Sequence, residues 1–239
     1  MSESALSAII GALFGAVIGS FLNVCIVRLP ADQSVVSPPS RCPKCGKPVE
    51  WRDNIPVVSW LLLGGKCRGC REPISSLYPM VELATALIWA GMAWQYGWGL
   101  PALKGALFGT ILLGIALTDA REYIIPNEFT YGGLAIGLVL AAPSGLDAVL
   151  AALIGTAVGF VILWVVGVAG RWAFKEEAIG GGDIKMMAMV GAFVGWQGVL
   201  LTIFLGALAG TAIFLPLTLI GRKKLVPFGV FLAVGASVT

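Results

Sequence analysis

The sequence predicts an all-α polytopic membrane protein: a bundle of about eight membrane helices with a cytoplasmic four-cysteine, zinc-ribbon-like loop. Three observations carry this expectation. Of 239 residues, 58% are hydrophobic and only 12% are charged, with a mean hydropathy of +0.91, whereas a soluble domain is usually about 25% charged. The apolar residues are gathered into runs, several near the ~20 residues that a bilayer-crossing helix needs. The one long polar interruption, residues 28–76, contains four cysteines in two C-x2-C pairs. A net charge of +3 is modest and gives no ground for a nucleic-acid partner.

Eight apolar segments follow in order, at 5–27, 77–96, 102–117, 129–142, 148–169, 184–194, 199–220 and 228–239. The first begins MSESALSAII, without the basic residues that open a signal peptide, and is longer than a signal core, so it is read as a retained helix. The fourth, sixth and eighth are short for a full span; the eighth stops at the chain end, as a partial helix or one with a missing tail would. The 32 glycines suit close helix packing in lipid. The organisation expected is a first helix (1–27), a cytoplasmic cysteine-bearing loop (28–76) and a membrane helical bundle (77–239).

Orientation follows from the basic residues. With the N-terminus outside, the loop 28–76 lies inside with eight of the sixteen Lys and Arg. Arg121, then Arg171, Lys175 and Lys185, then Arg222, Lys223 and Lys224 also fall inside, and only Lys104 outside. Such a bias is what the positive-inside rule demands. It sets Asp119 and Asp183 on one cytoplasmic side.

Within the loop, Cys42-Pro-Lys-Cys45 and Cys67-Arg-Gly-Cys70 are separated by 21 residues and echo each other as CPKCGKP and CRGCREP. That spacing fits four thiolates around one Zn²⁺. Gly46 and Gly69 are expected to give the knuckles backbone freedom, and Arg41, Lys44, Lys66 and Arg68 to offset the charge of the centre. Two disulfides are the alternative, which a reducing cytoplasm disfavours. Four protein ligands leave no open position, so the metal is read as structural. Cys25, inside the first segment, is read as a small buried residue. Trp51 and Trp60 flank an apolar stretch between the pairs and are expected to anchor it at the interface.

Asp119 follows the apolar run GTILLGIALT, and Asp183 sits in Gly180-Gly181-Gly182-Asp183-Ile184-Lys185 before another. Ionisable groups at a membrane border are functional candidates by default. Each has a plainer reading: Asp183 as the N-cap of a helix starting at Ile184, and Asp119 as a partner of Arg121 or a helix-end marker. Glu82 is read as a charge partner for an arginine such as Arg28, and Glu176 and Glu177 as a solvated face. The chain has no histidine, which removes Ser-His, Cys-His and His-ligated metal mechanisms together. Two carboxylates brought close, one protonated and one ionised, hydrolyse a peptide bond without either. The glycines before Asp183 leave room for a substrate backbone.

These residues resemble the type IV prepilin peptidases, bifunctional leader peptidases and N-methyltransferases of bacterial inner membranes. The resemblance runs through Gly19-Ser-Phe-Leu-Asn-Val24 with Arg28-Leu-Pro30, Ser40-Arg-Cys-Pro-Lys-Cys45, Ile55-Pro-Val-Val-Ser-Trp60, the second cysteine pair and Tyr78-Pro-Met-Val-Glu82. It continues through Asp119 with Ile125-Pro126, the G-x-G-D motif in Gly180–Lys185, and Pro227-Phe-Gly. It implies that Asp119 and Asp183 are the catalytic pair, supported by Gly180, Gly181, Gly182, Lys185 and Glu82. Lys185 is read as a lipid-headgroup anchor in preference to a partner of either aspartate. It also implies cleavage of prepilins and type II secretion pseudopilins after a glycine at the cytoplasmic face. Methylation of the new N-terminus by S-adenosylmethionine would follow. No glycine-rich motif locates the methyl donor. The four-cysteine loop favours this bifunctional reading over a protease-only, preflagellin-type peptidase. A proton-coupled transporter using the two aspartates, or an assembly factor docking partners through the zinc loop, are the rivals from other classes.

Overall fold

The computed structural model describes residues 2–175, 179–219 and 227–239. Glu176, Glu177, Arg222, Lys223 and Lys224, to which the sequence assigns surface roles, lie outside these. Among the described residues there is helix and no strand, only two isolated bridges in the cysteine loop. Among the described residues five helices are long and apolar enough to cross a membrane, so the chain is a polytopic membrane protein.

The chain forms two compact units, Met1–Thr110 and Ile111–Thr239. The first is built on α1 (Glu3–Arg28) and α3 (Leu77–Tyr96), with a short α2 (Val58–Leu62) in the loop between them. Ser2 caps α1, its Oγ accepting the Ala5 N–H at 3.3 Å. The two long helices pack along a stripe of glycines at four-residue spacing. A Cβ at Gly11 or Gly15 would stand 2.8 or 2.7 Å from the Trp89 or Thr85 carbonyl oxygen, and one at Gly19 2.7 Å from the Glu82 Cα. Small residues at that spacing let backbones approach where lipid provides no hydrophobic drive. The start of α4 (Leu100–Glu122) completes the unit, where Thr110 Oγ1 accepts the Trp89 indole N–H at 3.0 Å.

The second unit contains the rest of α4, α5 (Asn127–Ala141), α6 (Leu146–Phe174), α7 (Gly181–Leu219) and α8 (Phe228–Ser237). Here α7 is central. Gly155 and Gly159 of α6 lie directly on the backbone at Gly191 and Met187, and Gly133 and Gly137 of α5 face Met189 and Phe193. Met186, Met187, Met189 and Val190 have no exposed surface. The sixth and seventh expected segments are the two helical stretches of α7, which meet at Gly195, where the backbone leaves helical geometry (φ 71°, ψ −178°). A straight helix of 39 residues would run about 58 Å, roughly twice the hydrocarbon thickness, so the break is where the chain fits the bilayer. α5 and α8, with 15 and 10 residues, are too short to span alone. Outward faces such as Leu153, Val161, Trp164 and Val165 of α6 are apolar and exposed, as lipid-facing residues are.

Candidate active site and metal centre

Asp119 lies inside α4, which continues past the hydropathy limit at Leu117 to Glu122 and stops at Tyr123 in the left-handed region (φ 56°). The backbone runs on as helix where polarity ends the apolar run. Asp119 is 6% exposed. Its Oδ2 accepts the N–H of Val230 at 3.2 Å, and the N–H of Gly229 also points to the carboxylate. These are first-turn amides of α8, the Val230 N–H being shared with the Pro227 carbonyl at 3.3 Å, and they present the positive end of the helix dipole. The carboxylate therefore turns to α8 instead of pairing with Arg121.

Asp183 is the third residue of α7, because the helix begins at Gly181 and not at Ile184. It is not the N-cap. Its carboxylate reaches back to the Gly180 N–H, the return half of a capping box. Asp119 is near enough to act on it electrostatically. Glycines make this approach possible. A Cβ at Gly229 would stand 2.9 Å from Asp119 Oδ2 and 2.8 Å from Ile125, one at Gly182 3.0 Å from Ile125, and one at Gly180 3.1 Å from Asp183 Oδ2. Gly180 and Gly181 are exposed, and nothing lies within 4 Å of a Cβ at Gly181, so the side facing Asp183 is open to an extended chain. Lys185 approaches neither aspartate: its Nζ donates to Asn127 Oδ1 at 2.8 Å and lies 5.5 Å from the Tyr131 ring centre, tying α7 to α5.

In the first unit the sulfurs of Cys42, Cys45, Cys67 and Cys70 all lie within 4.8 Å of one another, and none is in a disulfide. Cys42 and Cys70 are 3.8 Å apart, close to the edge of a tetrahedron with Zn–S bonds of about 2.3 Å. The two knuckles repeat each other in backbone. Cys42 donates to Lys47 O and Cys67 to Glu72 O, with bridges Arg41–Pro48 and Lys66–Pro73. The left-handed residues are Gly46 and Arg71, not Gly69. A Cβ at Gly69 would stand 3.2 Å from the Lys47 Cδ, a close contact that the flexible lysine side chain can relieve. Backbone N–H groups of Cys70 and Gly69 draw the Cys67 thiol down to about 6, and those of Cys45 and Lys44 lower Cys42. Cys70 is pushed up to about 12: the Glu72 N–H favours its thiolate, but desolvation and the neighbouring thiols outweigh it. Thiols so crowded cannot all ionise unless a cation sits among them, so this donor set fits a soft divalent metal.

The charges expected to offset such a centre are partly engaged elsewhere. Arg68 clasps Asp53 through contacts of 2.6, 2.8 and 3.0 Å, which holds the Asp53 carboxyl below its usual range. Lys44 lies 3.9 Å from Glu72. Trp51 is 84% exposed, whereas Trp60 turns inward, its indole N–H donating to Ile74 O at 3.1 Å. Glu82 is buried and accepts the Val57 N–H at 2.7 Å. It forms no ion pair with Arg28, whose guanidinium donates to the Ser34 and Pro38 carbonyls. Cys25 is buried, as expected.

The family model described as the Bacterial Peptidase A24 N-terminal domain matches residues 13–96, and that of the Type IV leader peptidase family matches residues 106–215. Similar curated proteins are named prepilin leader peptidase/N-methyltransferase. That of Myxococcus xanthus is 40% identical, over 89% of this chain and 66% of its own length. Those of Aeromonas hydrophila and Pseudomonas aeruginosa are 35% and 38% identical, each over 93% of this chain and 86% of their own. No solved structure matches the chain.

Proposed function

The chain belongs to the type IV leader peptidase family, and from that membership we propose that it cleaves prepilin leader peptides and then methylates the new N-terminal amine. Asp119 and Asp183 are the catalytic carboxylates of the cleavage. The observation that carries this is their convergence from α4 and α7 into mutual electrostatic reach, with Asp119 held by the first turn of α8. In the reaction one carboxylate takes a proton from water, whose oxygen attacks the scissile carbonyl. The other, protonated, gives its proton to the substrate as the C–N bond breaks, and the titration belongs to the pair. The open flank at Gly180–Gly181 admits the extended leader junction. Lys185 and Asn127 brace α7 against α5 behind the pair.

Zinc is the metal that Cys42, Cys45, Cys67 and Cys70 would hold. It would close the loop as a structural centre, with no free coordination position. S-adenosylmethionine supplies a methyl group on a sulfonium, and the names of the relatives support its use here. Residues 28–76 form the module that serves this step, and 77–239 carry the cleavage. The uneven distribution of Lys and Arg supports a bacterial inner-membrane location with both aspartates and the cysteine loop on the cytoplasmic side. Type II secretion pseudopilins, which share a leader and an apolar helix, are substrates of the same kind.

The experiment is cleavage of a purified prepilin by the full chain in detergent, read by mass spectrometry. Asp119→Asn and Asp183→Asn are each expected to abolish cleavage, and turnover by either variant would remove the paired-carboxylate mechanism. The same spectrum reports whether the mature product carries an added methyl, which separates the bifunctional enzyme from a peptidase alone.

A further inference from the structure

The membrane ends of α1 and α3 and the four-cysteine loop enclose a cavity of about 560 Å³. We infer that this cavity is the S-adenosylmethionine site, with the Glu82 carboxylate as its anionic anchor; the inference rests on the methyltransferase reading above. Its volume lies within the ~300–1,000 Å³ of small-molecule sites, far more than a bare ion needs. Glu82 is 9% exposed and is the one buried charged residue of its unit among the described residues. Its Oε2 takes the Val57 N–H, while Oε1, on a side chain that lines the cavity, has no hydrogen-bond partner among the described residues. Oε1 is thus an accessible acceptor on a residue of the cavity wall, placed for a cation or donor.

The loop is built to keep that arrangement. Val57, a β-branched residue, is held at positive φ (φ 61°, ψ −50°) at the centre of a γ-turn closed by Val58 N–H to Pro56 O, and delivers its N–H to Glu82, a strain of the kind found at ligand sites. Asn23, also buried, donates to Tyr78 O at 3.0 Å and leaves its side-chain oxygen for a ligand donor. Trp60, fixed through Ile74 O, supplies a flat apolar wall, and Arg28, Arg41, Lys44, Lys47 and Arg68 set basic groups around the carboxylates of the lining. The chemistry selects among nucleoside ligands. The Glu82 carboxylate attracts a permanently cationic sulfonium. The aromatic wall takes a purine, and lining charges of both signs suit a zwitterionic amino-acid end.

The test measures binding directly. The full chain in detergent is titrated with radiolabelled S-adenosylmethionine, and ultraviolet crosslinking followed by peptide mapping locates the label. Label within residues 20–82 and a Kd at least about tenfold weaker in Glu82→Gln are expected. The cysteine metal content of that variant should stay at the wild-type level. Label confined to residues 111–239, or wild-type affinity in a folded Glu82→Gln, overturns the inference while leaving methylation intact. Absence of both binding and methylation in the wild-type chain overturns the methyltransferase reading itself. Crosslinking uses the unaltered chain, so it decides the matter even where the variant does not fold.

Discussion

Asp119 and Asp183 stand out in the sequence because ionisable residues are scarce in an apolar chain and histidine is missing altogether. What holds them does not stand out. The amides that bind Asp119 belong to Gly229 and Val230, 110 and 111 residues downstream, and no local pattern links such positions. Pro227-Phe-Gly marks the place as a motif but not its partner. The consequence is specific to Gly229. A methyl group there would meet Asp119 Oδ2 at 2.9 Å and Ile125 Cδ1 at 2.8 Å, so Gly229→Ala must push the carboxylate out of line. A displacement near 1 Å at a reacting group costs about 10²-fold. Cleavage by Gly229→Ala is therefore expected to fall by about that factor in kcat, with KM little changed because the open flank at Gly180–Gly181 is untouched. Steady-state kinetics on a prepilin check it; an effect confined to KM would place Gly229 in substrate binding instead.

At the level of elements, hydropathy recovers membrane helices well where the backbone and the apolar run end together. The expected 77–96 is α3 to the residue. It fails where they part. α4 stays helical through the polar Thr118–Glu122, and the first stretch of α7 starts at Gly181, ahead of its apolar run, while the expected division between the two runs falls at the non-helical Gly195. The cysteine loop was legible as a donor set from spacing alone, but its geometry was not. Arg71 takes the left-handed position in the second knuckle that Gly46 takes in the first, and Arg68 is spent on Asp53. Protonation gives a test of this element. Metal binding requires thiolates, so affinity falls as protons compete for the four sulfurs. Cys67, drawn to about 6, and Cys42, lowered, keep their thiolates longest, whereas Cys70, pushed up to about 12, takes its proton first, so metal affinity should fall steadily as pH drops from 8 to about 5. The Asp53–Arg68 clasp behaves oppositely in range. The Asp53 pKa is depressed on folding, so its contribution is complete above the unfolded value of about 3.9 and lost only as pH falls below it. The loop should thus lose its metal while the clasp is still closed. Chelator competition against pH measures the release, and full retention at pH 5 would contradict thiolate ligation.

The whole molecule divides its chemistry between two compact units. The cysteine centre and the Glu82 cavity belong to Met1–Thr110, and the two aspartates to Ile111–Thr239. Each unit is closed by its own glycine-lined helix contacts, α1 with α3 in one, and α7 with α5 and α6 in the other. The metal would fix the loop that carries Val57 and Trp60, and through them the wall around Glu82, whereas the Asp119 carboxylate is held by first-turn amides of α8. Metal removal should then act unequally on the two activities. In the Cys67→Ser, Cys70→Ser variant, or after chelation, methylated product is expected to fall about tenfold or more, as for other lost supporting ligands around a site. Cleavage is expected to change by no more than about threefold, since sites without shared partners respond nearly independently. A single mass spectrum of the pilin product resolves uncleaved, cleaved and methylated chains in one sample. Equal loss of both activities would mean that the loop also positions the substrate for Asp119 and Asp183, and the division of labour between the units would have to be withdrawn.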